Sequence, residues 1–261
     1  MKLRLDKLLV GRGLVSSRER AQALILAGKV LVNEQKIEKS GAAIDEDSTI
    51  RLLGEDLKYV SRGGLKLERA LEHWHIDVTG RTCLDVGAST GGFTDCLLQH
   101  GAARVLAVDT GYGQLDLRVR NDPRVRLLEK TNARYLTHEM LGEFATFIAM
   151  DVSFISATLV LPAVIASAFP SRTQEIATTA PKANTSPDPA HALVILVKRQ
   201  FEAGRAEVGK GGIVRNQAAQ LAALERVRQC ALAQGAHSAD AIDSPILGSE
   251  GNREFLLYAK F

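Results

Sequence analysis

The sequence predicts an α/β fold, in which a mainly parallel, doubly wound sheet follows a small α+β module. Apolar runs of strand length alternate with helical stripes from residue 62 onward, a pattern typical of a parallel sheet covered by helices. The run at 82–86 passes into a glycine-rich turn and a helix start, which is the ligand-binding corner of such sheets. The last two strand-like runs, about 238–242 and 254–260, predict a hairpin that gives the sheet an antiparallel last strand.

The other elements of the sheet domain are predicted from apolar periodicity. Its first helix carries an apolar stripe at i, i+3, i+4 and i+7, formed by Leu67, Ala70, Leu71 and Trp74. Further strands are predicted at 104–109, 126–129, 147–151 and 193–197, and helices at 92–100, 156–167 and 217–234. Because parallel strands present their carboxyl ends at one edge of a sheet, we expect the residues that end these strands to share a crevice.

Composition limits the class of protein. The chain has 261 residues, which suits one large domain or a medium domain plus a small one. Its hydrophobic content of 46% and charged content of 24% are ordinary for a globular protein. No apolar run approaches the ~20 residues that span a bilayer, and the first residues lack the apolar core of a secretory signal. The three cysteines match no zinc spacing, so we expect reduced thiols in a cytoplasmic protein and no metal site.

The N-terminal module has an uneven distribution of charge. Basic residues outnumber acidic ones over 1–36 and the sign reverses over 37–56, which indicates a charged face and a candidate nucleic-acid footprint. The sequence S-x-x-E at 16–19 predicts a capping box that opens a helix over 18–27. The predicted boundaries are 1–57 for the module, 58–61 for a linker and 62–261 for the sheet domain.

This order of helices and strands resembles the α-L RNA-binding domain of a small-subunit ribosomal protein, pseudouridine synthases and tyrosyl-tRNA synthetases. The likeness is carried by R-L-D-K-L-L at 4–9, S-R-E-R-A at 17–21 and A-G-K-V-L-V-N at 27–33. The resemblance implies that RNA phosphates are contacted by Arg4, Arg18, Arg20 and Lys29. Such contacts supply affinity and register rather than sequence reading. The alternative is that these charges form a solvated helix face.

The glycine-rich turn predicts a nucleotide-type ligand. Backbone N–H groups can approach such a ligand closely at Gly87, Ala88, Ser89, Thr90, Gly91 and Gly92. Asp109 ends the next strand about twenty residues later, where an acid can hold a ribose diol. This geometry suits NAD and S-adenosylmethionine (SAM) alike. SAM is favoured because the turn is not G-x-G-x-x-G and because Asp85 suits a cationic amino-acid ligand better than a pyrophosphate. A tight turn without a ligand is the remaining alternative.

Four charged residues are expected at the same crevice. Asp151 ends a strand in M-D-V-S-F, Lys198 ends another in I-L-V-K, and Glu254 begins the last strand, which we expect at the edge of the sheet. Lys66 lies near the start of the first helix of the domain. Two lysines and two acids suit a hydroxyl nucleophile, because an ammonium group stabilises a developing alkoxide while carboxylates position the ammonium. Separate salt bridges at strand ends are the alternative.

With these residues in place, the chain resembles the TlyA (haemolysin A-type) rRNA 2′-O-methyltransferases, relatives of the FtsJ methyltransferases. The likeness covers nearly the whole chain and is carried by V-S-R-G-G-L-K-L at 60–67, L-D-V-G-A-S-T-G-G-F-T at 84–94, D-T-G-Y-G-Q-L at 109–115, N-D-P-R-V at 121–125, T-N-A-R at 131–134 and D-V-S-F-I-S at 151–156. The resemblance implies a Rossmann-like, SAM-dependent methyltransferase sheet. It implies a Lys-Asp-Lys-Glu tetrad at Lys66, Asp151, Lys198 and Glu254, and a SAM pocket formed by 85–92, Asp109 and Asn132.

The resemblance also implies a substrate and partners. We expect methyl transfer to the 2′-hydroxyl of a cytidine in ribosomal RNA, with ribosomal subunits as partners and no membrane. Some members of the family modify only large-subunit rRNA and longer members modify both subunits. The short ends of this chain favour large-subunit rRNA alone. Two other functions stay open: a ribosome-assembly factor that binds RNA with little turnover, and a membrane-lytic protein.

The chain departs from the family pattern at three places. The family has Lys-Pro-Gln-Phe-Glu where this chain has K-R-Q-F-E at 198–202, and the joint has Tyr59-Val60 in place of Trp-Val. Proline, serine, threonine and alanine dominate about 170–192, which predicts a mobile insertion before the strand that carries Lys198. These departures bear on the efficiency of the reaction and on the aim of Lys198 rather than on the type of reaction.

Overall fold

The computed structural model describes residues 2–15, 17–53, 58–169, 191–203, 216–248 and 251–261. The chain divides into two compact units, Met1–Leu57 and Lys58–Phe261, and each is described by itself. The mobile insertion predicted at about 170–192 lies outside the described residues except at its end, where Ala192 already belongs to a strand.

The described part of the first unit contains two helices and five short strands. They are β1 (Lys2–Arg4), α1 (Leu5–Gly11), α2 (Arg18–Leu26), β2 (Val30–Val32), β3 (Gln35–Lys36), β4 (Ala43–Asp45) and β5 (Ile50–Leu52). β2 pairs antiparallel with β3 and β5, and β1 pairs antiparallel with β4. Leu5, Leu9 and Ile25 have no exposed surface, so the two helices and β2 share a small apolar core.

Ser17 caps α2, whereas the predicted capping box begins at Ser16. The Ser17 hydroxyl accepts a hydrogen bond from the Arg20 N–H at 3.1 Å, and Ser16 lies outside the described residues. The predicted box is therefore wrong by one residue. With Ser17 as the cap, the position that a capping box gives to glutamate is occupied by Arg20, so the reciprocal hydrogen bond cannot form.

Asp6 is the buried charge of the first unit. Its carboxylate is shielded from solvent and accepts hydrogen bonds from Arg4 Nη2 at 2.8 Å, Arg18 Nε at 3.1 Å and Gln22 Nε2 at 3.0 Å. The hydrogen bond from Arg4, supported by those from Gln22 and Arg18, holds the pKa of Asp6 well below its usual range against the effect of burial. One carboxylate therefore orients two of the basic side chains predicted to contact RNA.

The second unit contains the sheet. Its strands are β6 (Thr82–Val86), β7 (Arg104–Val108), β8 (Val125–Leu128), β9 (Phe147–Met150), β10 (Ala192–Lys198), β11 (Ser238–Asp243) and β12 (Glu254–Lys260). Its helices are α3 (Gly63–His73), α4 (Gly92–Gln99), α5 (Leu117–Arg120), α6 (His138–Leu141), α7 (Leu161–Ala168), α8 (Arg199–Glu202) and α9 (Gln217–Ala233). Two 3₁₀ turns lie at Ala133–Tyr135 and Ala157–Leu159.

These strands form one sheet in the order β11-β12-β10-β9-β6-β7-β8. The strands β6 to β10 are parallel, and β12 runs antiparallel to both of its neighbours, β10 and β11. The predicted fold class, a mainly parallel sheet with an antiparallel last strand, is confirmed. The predicted place of Glu254 on an edge strand is wrong, because β11 pairs along the outer side of β12 and forms the edge itself.

Helices cover both faces of the sheet. Successive residues of a strand face opposite sides, so each strand contributes to two cores. On one side Leu84 and Ile148 pack with apolar residues of α7 and α9. On the other side Cys83 and Phe147 pack with α3 and α4. With both faces covered, the loops at the carboxyl ends of the strands are left to form a site.

The helix predicted over 156–167 consists of two pieces. Ser156 caps the first piece, the 3₁₀ turn Ala157–Leu159, and accepts a hydrogen bond from the Thr158 N–H at 3.2 Å. The α-helix α7 begins only at Leu161 and has a proline in its first turn. Because proline has no N–H to donate and collides with the carbonyl four residues before it, one α-helix cannot run through Pro162 from Ser156.

We expect Asp6→Asn to destabilise the first unit. Removing the charge weakens hydrogen bonds worth about 1–3 kcal/mol, so amides of α1 and α2 should exchange with deuterium faster in the full-length chain at pH 7. Because the folded-state pKa is lowered, the stabilisation is complete above the unfolded pKa of about 4 and is lost as the pH falls below it. Glu34→Gln, which breaks an exposed pair with Arg51, is the control. Equal exchange in Asp6→Asn and Glu34→Gln would contradict this role.

Candidate active site

Strands β6 and β9 lie side by side at the point where the chain winds outward in two directions. From β6 the chain continues to β7 and β8, and from β9 it continues to β10 on the other side. At such a switch point the connecting loops separate and leave a crevice at the carboxyl ends of the strands. Residues 87–90 and 151–155 border this crevice, which contains two adjoining cavities of about 300 and 530 Å³.

The smaller cavity lies beside the end of β7. Four residues predicted to bind a cofactor line it: Gly87, Ser89, Asp109 and Asn132. The carboxylate of Asp109 is fixed by backbone donors, since Oδ2 accepts from the Ser89 N–H at 2.8 Å and Oδ1 from the Gly111 N–H at 2.6 Å. Each oxygen keeps a further lone pair, so Asp109 can also accept hydrogen bonds from the hydroxyls of a ligand.

The glycine turn and the loop after β9 approach each other closely. Gly87 has φ +88°, and a Cβ there would lie 2.4 Å from the carbonyl oxygen of Asp151. Only glycine fits this position without moving the loop that carries Asp151. Ala88, Thr90 and Gly92 line the larger cavity, whereas Gly91 lines neither cavity and precedes α4 as its N-cap.

Asp85 lies beneath the turn rather than in a cavity. Its carboxylate is fully buried; Oδ2 accepts from the Thr94 hydroxyl at 2.6 Å, and Oδ1 has no hydrogen-bond partner among the described residues. Burial, with a smaller contribution from the charge of Asp151, raises the pKa of Asp85 to about 7. Asp85 lines neither cavity. Its predicted contact with a cofactor stays a prediction.

The larger cavity brings the four predicted reacting residues together. Lys66 comes from α3, Asp151 from the loop after β9, Lys198 from the end of β10 and Glu254 from the start of β12, and all four line the cavity. Lys66 Nζ lies 2.5 Å from Glu254 Oε2, with side-chain exposures of 11% and 2%. Lys198 Nζ lies 2.5 Å from Asp151 Oδ1 and forms an ion pair with it, although the angles are not those of a hydrogen bond. Lys198 Nζ also donates a hydrogen bond to Ser153 Oγ at 2.6 Å.

Each lysine therefore has a carboxylate partner in a shielded space. Burying an ammonium without a partner is costly, and a carboxylate partner offsets part of that cost. When a substrate displaces water from the cavity, a fixed ammonium stabilises negative charge on a nearby oxygen more strongly than it does in water. The arrangement can therefore stabilise an alkoxide that develops on a hydroxyl group.

Ser153 and Phe154 are site residues that the sequence interpretation missed. Both line both cavities. Phe154 is 91% exposed, has a positive φ of 64°, and its ring centroid lies 5.3 Å from that of Phe201. The available signal was the D-V-S-F run at 151–154, which places an aromatic residue four positions beyond the last residue of a buried strand.

The residues predicted to contact RNA lie on the first unit. Arg4 and Arg18 keep roughly half of their side-chain surface exposed while they pair with Asp6. Arg20 is half-buried in α2, and Lys29 is exposed in the turn that follows α2. This exposure is compatible with phosphate contacts, and the predicted role of all four stays a prediction.

The described residues also bear on two other functions, metal binding and membrane spanning. Across the parts of the chain that the structure describes, no group of three or more His, Cys, Asp or Glu side chains is arranged to hold a metal ion. In the same residues, no helix combines the length and apolar character needed to cross a bilayer.

A cavity lined by a glycine turn and a strand-end acid, next to paired lysines at the switch point of a doubly wound sheet, is compatible with an α/β transferase. The chain belongs to the FtsJ-like methyltransferase family, which matches residues 59–261, and residues 3–50 match the S4 domain. The protein is thus a methyltransferase with an N-terminal S4 domain, and both predicted resemblances are confirmed.

Relatives match over nearly the whole chain. A candidate rRNA methyltransferase of Bacillus subtilis, YqxC, is 44% identical over 98% of this chain and 85% of its own length. The 16S/23S rRNA (cytidine-2′-O)-methyltransferase TlyA of Mycobacterium tuberculosis is 42% identical over 98% and 89%. The solved structure of a candidate hemolysin from Streptococcus thermophilus is 40% identical, with a TM-score of 0.69 over 99% of this chain and 88% of its own.

We expect Asp85→Asn to remove a pH dependence of stability. Because burial raises the pKa of Asp85 to about 7, the wild-type protein loses stability as the pH rises from about 4 through 7, and the neutral amide does not. The free energy of unfolding of Asp85→Asn, relative to that of the wild type, should therefore increase by on the order of 4 kcal/mol as the pH rises across this interval. Urea unfolding at stepwise pH measures it. Parallel curves for the two proteins would contradict the raised pKa.

Proposed function

We propose that the protein transfers the methyl group of SAM to the ribose 2′-hydroxyl of a cytidine in ribosomal RNA. The observation that carries the proposal is the pairing of Lys66 with Glu254 and of Lys198 with Asp151 in one shielded cavity, next to the cavity at Asp109. The RNA substrate is supported by the 42%-identical relative TlyA, which is named for it. Because that name covers 16S and 23S rRNA, the expected restriction to the large subunit stays a prediction.

The residues of the smaller cavity suit SAM. Asp109 offers carboxylate oxygens for a ribose diol, and Gly87 lets the backbone approach the ligand. The unpartnered Oδ1 of Asp85 beneath the turn is an acceptor that a nearby ammonium group would satisfy. We propose that 85–92, Asp109 and Asn132 hold SAM, which when bound supplies an electrophilic methyl group on sulfur.

The charged residues of the larger cavity then act on the hydroxyl group. The ammonium group of Lys66 or Lys198 stabilises the negative charge that develops on the ribose oxygen. Asp151 and Glu254 hold these ammonium groups in position. Bound SAM would supply the methyl group to this oxygen, and the hydroxyl proton passes to a carboxylate of the cluster.

The substrate nucleotide has to leave its stack to reach this cavity. Phe154, 91% exposed and bordering both cavities, presents an aromatic face to a base at the rim. Base–aromatic stacking contributes about 1–3 kcal/mol and tolerates any sequence. We propose that Phe154 supports the extruded nucleotide, while Arg4, Arg18, Arg20 and Lys29 of the S4 domain bind phosphates of structured RNA.

We expect Lys198→Ala to lose most of its activity while it still binds SAM. Removing one preorganised donor to a developing oxyanion lowers the rate by about 10²–10³-fold. The measurement is transfer of label from SAM to purified large and small ribosomal subunits and to naked rRNA, with SAM affinity measured separately by calorimetry. Lys260→Ala is the matched control. Lys260 is an exposed lysine that ends β12, at the opposite end of that strand from Glu254.

The outcomes separate the alternatives. RNA-borne label in the wild type and in Lys260→Ala, but not in Lys198→Ala, supports the proposal. Wild-type protein that binds SAM and labels no RNA would contradict it and favour an RNA-binding assembly factor.

Gly248→Ala tests the position of Glu254 without removing a charge. An added Cβ at Gly248 would lie 2.5 Å from Glu254 Oε1, so the carboxylate that pairs with Lys66 has to shift. We expect methyl transfer to fall by about 10–100-fold, since small displacements of reacting groups are costly, with little change in melting temperature. Gly11→Ala, where a Cβ meets no atom within 4 Å, is the control. Full activity of Gly248→Ala would contradict the proposed role of Glu254 in positioning Lys66.

A further inference from the structure

Glu202 is a buried acid that the proposed mechanism does not use. It is the last residue of α8, 8% exposed, and lines neither of the two cavities. Its Oε2 accepts from the Ser156 hydroxyl at 2.5 Å and its Oε1 accepts from the Ala157 N–H at 2.6 Å. A buried carboxylate needs such donors, so these contacts fix where the side chain lies.

These contacts join two segments that are distant in sequence. Residues 151–157 leave β9 and carry Asp151, Ser153 and Phe154, whereas residues 198–202 leave β10. Lys198 holds the beginning of the first segment through Asp151 and Ser153. Glu202, four residues after Lys198, holds its end. The two segments are thus connected at both ends.

The stretch between these two connections contains the strained residue Phe154. Its positive φ of 64° is a conformation that bulky residues rarely adopt, and it persists only where the surroundings hold it. The ring contact with Phe201, one residue before Glu202, supports the same stretch. If the end at Ala157 were released, the stretch could relax, and Ser153 would no longer be fixed opposite Lys198.

We propose that Glu202 is a positioning residue, which fixes the end of the 151–157 segment and thereby holds Asp151 and Ser153 against Lys198. This inference rests on the proposed function for its effect on catalysis. A simple helix cap is the competing role, since Ser156 also caps the 3₁₀ turn that follows it. A cap alone would change the stability of the protein without a selective change in kcat.

The test compares Glu202→Ala with Glu202→Gln. Alanine removes both acceptors, and we expect kcat for methyl transfer to fall by about 10–100-fold while the Kd for SAM changes less than about 5-fold. Glutamine keeps the size of the side chain; its oxygen accepts from the Ala157 N–H and its NH₂ donates to Ser156 Oγ, so kcat should stay within about 3-fold of wild type. Glu225→Ala, which breaks an exposed pair with Arg228, is the control.

Amide hydrogen exchange gives a readout that needs no methyl transfer. The Ala157 amide should exchange at least about 10-fold faster in Glu202→Ala than in the wild type and in Glu225→Ala. Unchanged exchange, or wild-type kcat in Glu202→Ala, would overturn the inference. Equal losses of kcat in the alanine and glutamine variants would overturn it as well. A wild-type protein that labels no RNA would instead refute the proposed function, and with it the catalytic part of this inference.

Discussion

The reversal of one strand is the constraint on which the site depends. In a parallel sheet all strands have their carboxyl ends on one side. A residue that begins a parallel strand therefore lies on the opposite side, away from the site. Because β12 runs antiparallel to β10, its first residue, Glu254, lies directly across from Lys198, the last residue of β10. Glu254 is then 2.5 Å from Lys66 of α3, so the reversed strand joins a helix on one face to the loops at the strand ends.

Charge pairing decides what this geometry can do. An isolated lysine in such a cavity tends to lose its proton, and an isolated carboxylate tends to gain one, as the raised pKa of buried Asp85 illustrates. Lys66 and Lys198 each lie against a carboxylate, which offsets part of the cost of burying their ammonium groups. The same pairing fixes their positions before a substrate arrives, and preorganised charge is what stabilises a developing oxyanion.

Much of the fold and part of the site could be predicted from local pattern. Asp151 directly follows one buried strand and Lys198 ends another, and the carboxyl ends of neighbouring parallel strands lie on the same side of a sheet. The pairing of Lys66 with Glu254 joins residues 188 positions apart, and periodicity does not specify such a register. Asp85 could have been placed better, because strand alternation puts it on the side of α4, where Thr94 meets it. The positive φ of Phe154 depends on contacts from another segment, which sequence does not reveal.

The position of the transferred methyl group tests most directly whether the acceptor is a ribose hydroxyl. Ribosomal RNA treated with the protein and isotope-labelled SAM would be digested to nucleosides and analysed by mass spectrometry. The paired lysines, which suit an alkoxide, predict label in 2′-O-methylcytidine, with the methyl group on the sugar fragment. Label on a base fragment would contradict the account, because that chemistry does not need two lysine–carboxylate pairs.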